Sequence, residues 1–80
     1  MRVLLFGRLS DVAGWRERSL DPAPASLAAL KALLAAEDGA LGAALASPGV
    51  QAAVDKVIVR GEAALVAGSE VAFLPPMSGG

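Results

Sequence analysis

Residues 70–80 read Glu70-Val71-Ala72-Phe73-Leu74-Pro75-Pro76-Met77-Ser78-Gly79-Gly80, and this stretch decides how the chain is organised. Its first five residues combine an alternating pattern with good strand formers, which predicts a strand over 70–74. Two consecutive prolines lack the backbone N–H that a strand requires, so the strand ends before them. We therefore expect one folded domain over residues 1–74 and an extended tail over residues 75–80 that ends in Gly-Gly.

Three earlier segments also have strand character. The apolar run 3–6 predicts a first strand, and the alternating residues 15–20 predict a second strand that forms a hairpin with it. Residues 54–60 contain three successive β-branched residues and predict a further strand. A short edge strand is expected over 62–66.

One amphipathic helix is predicted between these strands. Ser26 is placed to cap it, because its hydroxyl can accept a hydrogen bond from an early backbone N–H. Gly39 is expected to end the helix in the left-handed conformation. Residues 9–13 suggest a single helical turn, and the Ala-rich residues 40–47 are compatible with a second short helix. The helix is expected to present one apolar stripe, Leu27, Leu30, Leu33 and Leu34, and the element order predicts an α+β roll with this helix on one sheet face.

Composition excludes several classes of function. The 80 residues include no Cys and no His, so thiolate or imidazole catalysis and the usual zinc sites are excluded, and we expect no bound metal. A net charge of −1 argues against nucleic-acid binding. The apolar runs are too short to span a membrane, and the first residues lack signal-peptide architecture. We expect a cytoplasmic protein.

The sheet face opposite the helix is expected to be uncovered. Strand alternation places Phe6, Ile58 and Leu74 on it, beside charged residues. Two interpretations remain open. Isolated exposed apolar side chains are ordinary, whereas a cluster of them is typical of a surface that docks on a partner.

The tail offers one reactive group, the terminal carboxylate. Six extended residues reach about 20 Å. The prolines stiffen the base of the tail, and the final glycines carry no side chain that would obstruct a narrow channel. We expect Pro75, Pro76, Met77, Ser78 and Gly79 to carry the carboxylate of Gly80 into another protein's active site.

Several segments resemble one known family, the small subunit of molybdopterin synthase. They are residues 3–7, residues 11–14, the segment Ala53-Val54-Asp55 before a strand, and above all residues 70–80. This resemblance implies a β-grasp (ubiquitin-like) roll, in which one main helix packs on one face of a mixed sheet.

The resemblance also implies a sulfur carrier for molybdenum cofactor biosynthesis. A ubiquitin-activating-like adenylyltransferase would use ATP to adenylate Gly80, and a sulfurtransferase system would convert it to a thiocarboxylate. The tail would then donate this sulfur to the pterin precursor in the large subunit. Two small and two large subunits would form a heterotetramer. The chain would be a non-catalytic subunit that binds no cofactor itself.

The same resemblance assigns the partner-binding residues. Phe6, Ile58 and Leu74 match the apolar surface through which such carriers dock on the large subunit and on the activating enzyme. Many members have an Arg-Glu pair where this chain has Ser10-Asp11. The polar contact that the pair would make is therefore expected either to be lost or to be taken over by Arg8.

Three other functions remain open. The chain could be a sulfur carrier for thiamin or for another sulfur-containing product. It could be a ubiquitin-like protein modifier, although Ser78 stands where ubiquitin has an arginine before its Gly-Gly. Finally, it could be an interaction domain with an inert tail.

Overall fold

The computed structural model describes residues 1–76, so the predictions for Met77, Ser78, Gly79 and Gly80 lie outside the described residues. Five strands and three helices follow one another along this part of the chain. In chain order they are β1 (Arg2–Leu5), α1 (Arg8–Ala13), β2 (Glu17–Ser19), α2 (Leu27–Glu37), α3 (Gly39–Leu45), β3 (Gln51–Val54), β4 (Val57–Val59) and β5 (Glu70–Leu74).

The strands form one mixed sheet in the order β2-β1-β5-β3-β4. β1 and β5 run parallel in its middle, with Val3 beside Val71 and Leu5 beside Phe73, and the other three pairs are antiparallel. The predicted β1–β2 hairpin is confirmed, although β2 is shorter than residues 15–20. The predicted α+β class, with one main helix on a sheet, is confirmed too.

The core lies between the sheet and α2. Ser26 caps α2 as expected, because its hydroxyl accepts a hydrogen bond from the Ala29 N–H at 3.1 Å. Three of the four predicted stripe leucines are buried, whereas Leu33 is 39% exposed and lies outside the core. Each large apolar side chain that becomes fully buried contributes roughly 1.5–3 kcal/mol. The buried set comprises Leu27, Leu30 and Leu34 of α2 together with Val3, Leu5, Val71 and Phe73 of the sheet.

The prediction that Gly39 ends the long helix in the left-handed conformation is wrong. Asp38 ends α2 in an extended conformation, with φ −148°, and Gly39 is already the first residue of α3. The Asp38 carboxylate accepts a hydrogen bond from the Leu41 N–H at 3.1 Å. The residue that stops one helix therefore starts the next, which is why an acidic residue stands there.

The single strand predicted over 54–60 is a hairpin instead. Asp55 and Lys56 have φ of 50° and 70°, and this two-residue turn reverses the chain between β3 and β4. Two consecutive residues with positive φ are typical of the tight turn whose twist matches that of paired strands.

The predicted edge strand over 62–66 is also absent from the described sheet. Ala64 forms only an isolated bridge with Ser26, and the flanking backbone groups bond to Ala25 and Leu27 at 2.9 Å. This segment therefore fastens the start of α2, and β4 is the outer strand.

Within residues 1–76, no helix has the length and apolar character needed to cross a bilayer.

Glu62 completes the attachment of the 62–66 segment to α2. Its carboxylate accepts hydrogen bonds from the backbone N–H groups of Ala28, at 3.0 Å, and Ala63, at 2.9 Å. Both bonds favour the ionised form, so they hold the pKa of Glu62 below its ordinary value.

This pKa shift predicts a pH-dependent contribution to stability. Since the folded pKa lies below the unfolded one, the contribution is complete above the unfolded pKa and is lost as pH falls through the folded pKa. We expect Glu62→Gln to have a lower melting temperature than the wild-type protein at neutral pH. The difference between the two melting temperatures should disappear as the pH falls through the folded pKa of Glu62. Thermal unfolding across this range checks the prediction, and a gap that stays constant with pH would contradict it.

Candidate docking surface and tail base

The uncovered sheet face carries a continuous apolar area at its centre. In the strand register Leu4 stands beside Ala72, Ala72 beside Ala53, and Ala53 beside Ile58, which makes one row across four strands. Three strand spacings separate the ends of this row by about 14 Å. We call Leu4, Phe6, Ile58, Ala72 and Leu74 the sheet patch.

Phe6 and Leu74 extend the sheet patch toward the end at which β1 and β5 finish. The Phe6 N–H donates to the Phe73 carbonyl at 3.2 Å, which carries the parallel pairing one residue past β1. Phe6 and Ile58 are 45% and 41% exposed. The three predicted docking residues therefore belong to one surface, joined by Leu4 and Ala72, and this favours the docking interpretation over isolated exposure.

Charged residues border the sheet patch on the same face, since Glu17 stands beside Leu4 in the register and Arg2 stands beside Glu70. The Arg2 guanidinium contacts carboxylate oxygens of Glu17 at 3.1 Å and of Glu70 at 3.3 Å. The hydrogen bond from Arg2 holds the pKa of Glu17 below its ordinary value. The pair of Arg2 with Glu17 is about half exposed, so it contributes little to stability. The two contacts of Arg2 join charges of three neighbouring strands, β2, β1 and β5.

The base of the tail packs against two glycines. A Cβ built on Gly7 would lie 3.1 Å from Cγ of Pro75, and one built on Gly49 would lie 3.0 Å from Cβ of Pro76. Both glycines also have positive φ, 56° and 86°. A side chain at either position would be strained and would press on a proline ring. Residues far apart in the chain thus hold the first two tail residues in place.

Arg8 lies beside the tail base, on a different surface from the sheet patch. It lines an apolar groove of about 460 Å³ between α1, α3 and the two prolines. The Ser10 hydroxyl donates a hydrogen bond to the Gly7 carbonyl at 2.7 Å. Ser10 therefore supports the turn that contacts Pro75.

The sequence does not reveal that Gly7 and Gly49 hold the tail base, because nothing local to either glycine indicates a contact with a proline many residues away. Leu4 and Ala72 carried a usable signal, since alternation places both on the uncovered face.

The contact between Gly49 and Pro76 can be separated from backbone strain. Gly61 has a similar φ, 91°, but nothing lies within 4 Å of its missing Cβ. Non-glycine residues in the left-handed region cost about 1–2 kcal/mol. We expect Gly61→Ala to lower the free energy of unfolding by about this amount. Gly49→Ala should lower it further and should also shift the ¹³C resonances of Pro76. Urea unfolding and NMR check this, and equal losses with unshifted resonances would contradict it.

Comparisons with known proteins agree with this geometry. The ThiS family profile matches residues 3–80. The crystal structure of SAMP1 from Haloferax volcanii is similar, with a TM-score of 0.81 and 26% identity over 100% of this chain and 98% of that one. A crystal structure of H. volcanii small archaeal modifier protein 1 gives a TM-score of 0.82 and 23% identity over 96% and 97%.

No curated protein matches the chain. The two similar crystal structures confirm the ubiquitin-like β-grasp fold. Because the family profile extends over nearly the whole sequence, this protein belongs to the ThiS family of ubiquitin-like sulfur carriers.

Proposed function

We propose that this protein is the sulfur-carrier small subunit of molybdopterin synthase and that it acts through the carboxylate of Gly80. The observation that carries the proposal is the placement of the tail base. Pro75 and Pro76 are held by Gly7 and Gly49 directly after the central strand β5. The sheet patch ends beside them, at Leu74. A docking surface and the start of a thin tail thus share one end of the molecule.

The chemistry requires no side chain of this protein. The adenylyltransferase joins the Gly80 carboxylate to the AMP portion of ATP and releases pyrophosphate. Sulfide supplied by the sulfurtransferase system attacks the acyl carbon, and AMP leaves. The product is an anionic thiocarboxylate, a sulfur nucleophile in a chain that contains no cysteine. It attacks the pterin precursor in the large subunit and displaces an oxygen of the precursor, and water then cleaves the resulting thioester, which leaves the sulfur on the pterin and restores the Gly80 carboxylate. This chain is therefore a sulfur-donating subunit, and we expect it to bind no cofactor itself.

A fixed tail base makes this transfer efficient. The four residues that follow Pro76 can span about 13 Å when fully extended. Because Pro75 and Pro76 already contact the domain, these two residues lose little conformational freedom when the tail enters the partner. Met77, Ser78 and Gly79 form the inserted stem, and Gly79 and Gly80 are the narrowest residues available.

Docking uses the sheet patch and Arg8. Phe6, Ile58 and Leu74 present apolar area to the large subunit and, earlier in the cycle, to the activating enzyme. Arg8, on the other side of the tail base, offers a cation to an acidic group of the partner. Two such complexes form the heterotetramer that we propose.

One observation favours a second function. SAMP1 from Haloferax volcanii, a small archaeal modifier protein, is 26% identical over the whole chain. A modifier would use the same Gly80 adenylate, but a lysine amine of a target protein would attack the acyl carbon and displace AMP. A carrier for thiamin biosynthesis would share the thiocarboxylate and differ only in the acceptor.

Loading of the tail is the first test. We expect incubation with the cognate adenylyltransferase, ATP and a sulfur source to raise the intact mass by about 16 Da, because sulfur replaces one oxygen. A variant that lacks Gly80 and a variant with one residue added after it serve as controls and should stay unchanged. No mass increase under conditions that load another carrier would remove the proposal.

The acceptor then separates the alternatives. The loaded protein should give molybdopterin with the large subunit and the pterin precursor, with return of the carrier to its original mass. Transfer only to a thiazole precursor would assign the thiamin pathway. Adducts on protein lysines without pterin conversion would assign a modifier.

The sheet patch should carry much of the affinity for the large subunit. Removing a hot-spot side chain costs about 2 kcal/mol or more, roughly a thirtyfold loss. We expect Phe6→Asp and Leu74→Asp to weaken binding by at least this factor in calorimetric titration. Val66→Asp is the matched control, because Val66 is 66% exposed and lies outside the sheet patch. Equal affinity of the Phe6 and Val66 variants would contradict the docking surface.

A further inference from the structure

The two outer strands of the sheet differ in how they meet solvent. β2 has the sequence Glu17-Arg18-Ser19, and salt bridges occupy its charges: Arg18 contacts Glu37 at 2.7 Å. β4 consists of Val57, Ile58 and Val59 alone, and Val57 is 64% exposed. Charged residues are a usual protection of an edge strand against further pairing. β4 has none within its length.

The backbone of β4 leaves hydrogen-bonding groups directed outward. In a two-residue hairpin the pair next to the turn exchanges both hydrogen bonds, and the following pair exchanges none. Here Val57 pairs with Val54 next to the turn, and Ile58 follows opposite Ala53. The N–H and C=O groups of Ile58 therefore point away from β3, toward the position of a missing neighbour.

A cleft of about 450 Å³ lies beside the end of this strand. Leu27, Ala28 and Val59 give it apolar walls, and Lys31 and Arg60 bring cations to it. Glu62 also lines the cleft, and its carboxylate accepts two backbone hydrogen bonds and keeps its negative charge, so the cations Lys31 and Arg60 exceed it by one. The cleft can therefore accept an apolar side chain with an acidic neighbour at its rim.

The charges around β4 select the kind of strand that fits. Lys56 and Arg60 flank the strand, and within residues 1–76 no salt bridge involves either of them. If a second copy paired antiparallel about Ile58, Lys56 of each chain would face Arg60 of the other, and like charges directly opposite are destabilising. A segment with one acidic residue opposite Lys56 and another opposite Arg60 makes both contacts attractive.

From these observations we infer that the outer edge of β4 binds an extended partner segment, apolar in the middle and acidic at both flanks, as a sixth strand of the sheet. Main-chain hydrogen bonds to Ile58 give affinity, and Lys56 and Arg60 give selectivity. This edge is separate from the tail, so the interaction is open to the unloaded protein and does not depend on the proposed sulfur chemistry.

The test uses the ¹⁵N-labelled full chain and two capped peptides. Glu-Val-Ile-Val-Glu presents the inferred charges, and Lys-Val-Ile-Val-Lys is its charge-reversed counterpart. We expect the acidic peptide to shift the amide resonances of residues 57–60 most. Saturation should slow hydrogen exchange of the Ile58 amide about tenfold or more, and the basic peptide should bind at least about tenfold more weakly.

Matched variants separate the edge from general charge attraction. Arg60→Glu should weaken binding of the acidic peptide about tenfold. Arg16→Glu makes the same change of charge at the other edge of the sheet and should leave the affinity unaltered. Both side chains belong to exposed residues, so the fold should persist, and the unperturbed amide spectrum verifies this.

Four results would overturn the inference. They are shifts that map away from β4, equal affinity for the two peptides, an Ile58 amide whose exchange does not slow, and equal effects of the Arg60 and Arg16 variants. Concentration-dependent dimerisation through β4 in the absence of peptide would also overturn it, since the occupant would then be a second copy.

Discussion

The parallel pairing of β1 with β5 is the constraint on which the rest of the structure depends. It joins the first and last strands of the chain in the middle of the sheet and buries Val3, Leu5, Val71 and Phe73, each 3% exposed or less. Because the two strands run in the same direction, they finish at the same end. Phe6 and Leu74 become neighbours there, and the tail starts beside Gly7. The location of the candidate site is thus a consequence of the core.

A protein without cysteine or histidine can still take part in group transfer if its terminus is the reacting group. The reactive atom is then supplied by other enzymes, and what the fold must supply is position. Pro75 and Pro76 rest against two glycines that leave room for their rings, so the tail begins from a defined place. The sheet patch lies next to this place, and the ion pairs of Arg2 with Glu17 and Glu70 border the patch on the same face. In the proposed function the sheet patch supplies affinity for the partner, and the contacts of the two prolines with Gly7 and Gly49 direct the tail.

Several elements could be predicted because the relevant interactions are local. The strand over 70–74, the Ser26 cap and the buried face of α2 follow from alternation, hydroxyl capping and helical spacing, each of which involves residues a few positions apart. The hairpin at Asp55 and Lys56 could not be predicted in the same way, since positive φ at two non-glycine residues is imposed by the pairing of β3 with β4. Gly39 failed as a helix end because Asp38 caps the following helix. The 62–66 segment failed as a strand because it pairs with the start of α2 instead of the sheet.

By itself the sequence determined that the chain has one main helix and several strands, that these 80 residues offer no thiol or imidazole, and that two prolines end the strand over 70–74. Only the tertiary structure decided that Phe6 lies beside Leu74, that Pro75 contacts Gly7 and Pro76 contacts Gly49, and that Ile58 lies on an outer strand of the sheet. The physical reason is the separation along the chain of the residues that interact. Secondary structure and chemical type depend on near neighbours in the chain, whereas register, strand order and contact between distant residues depend on how the whole core packs.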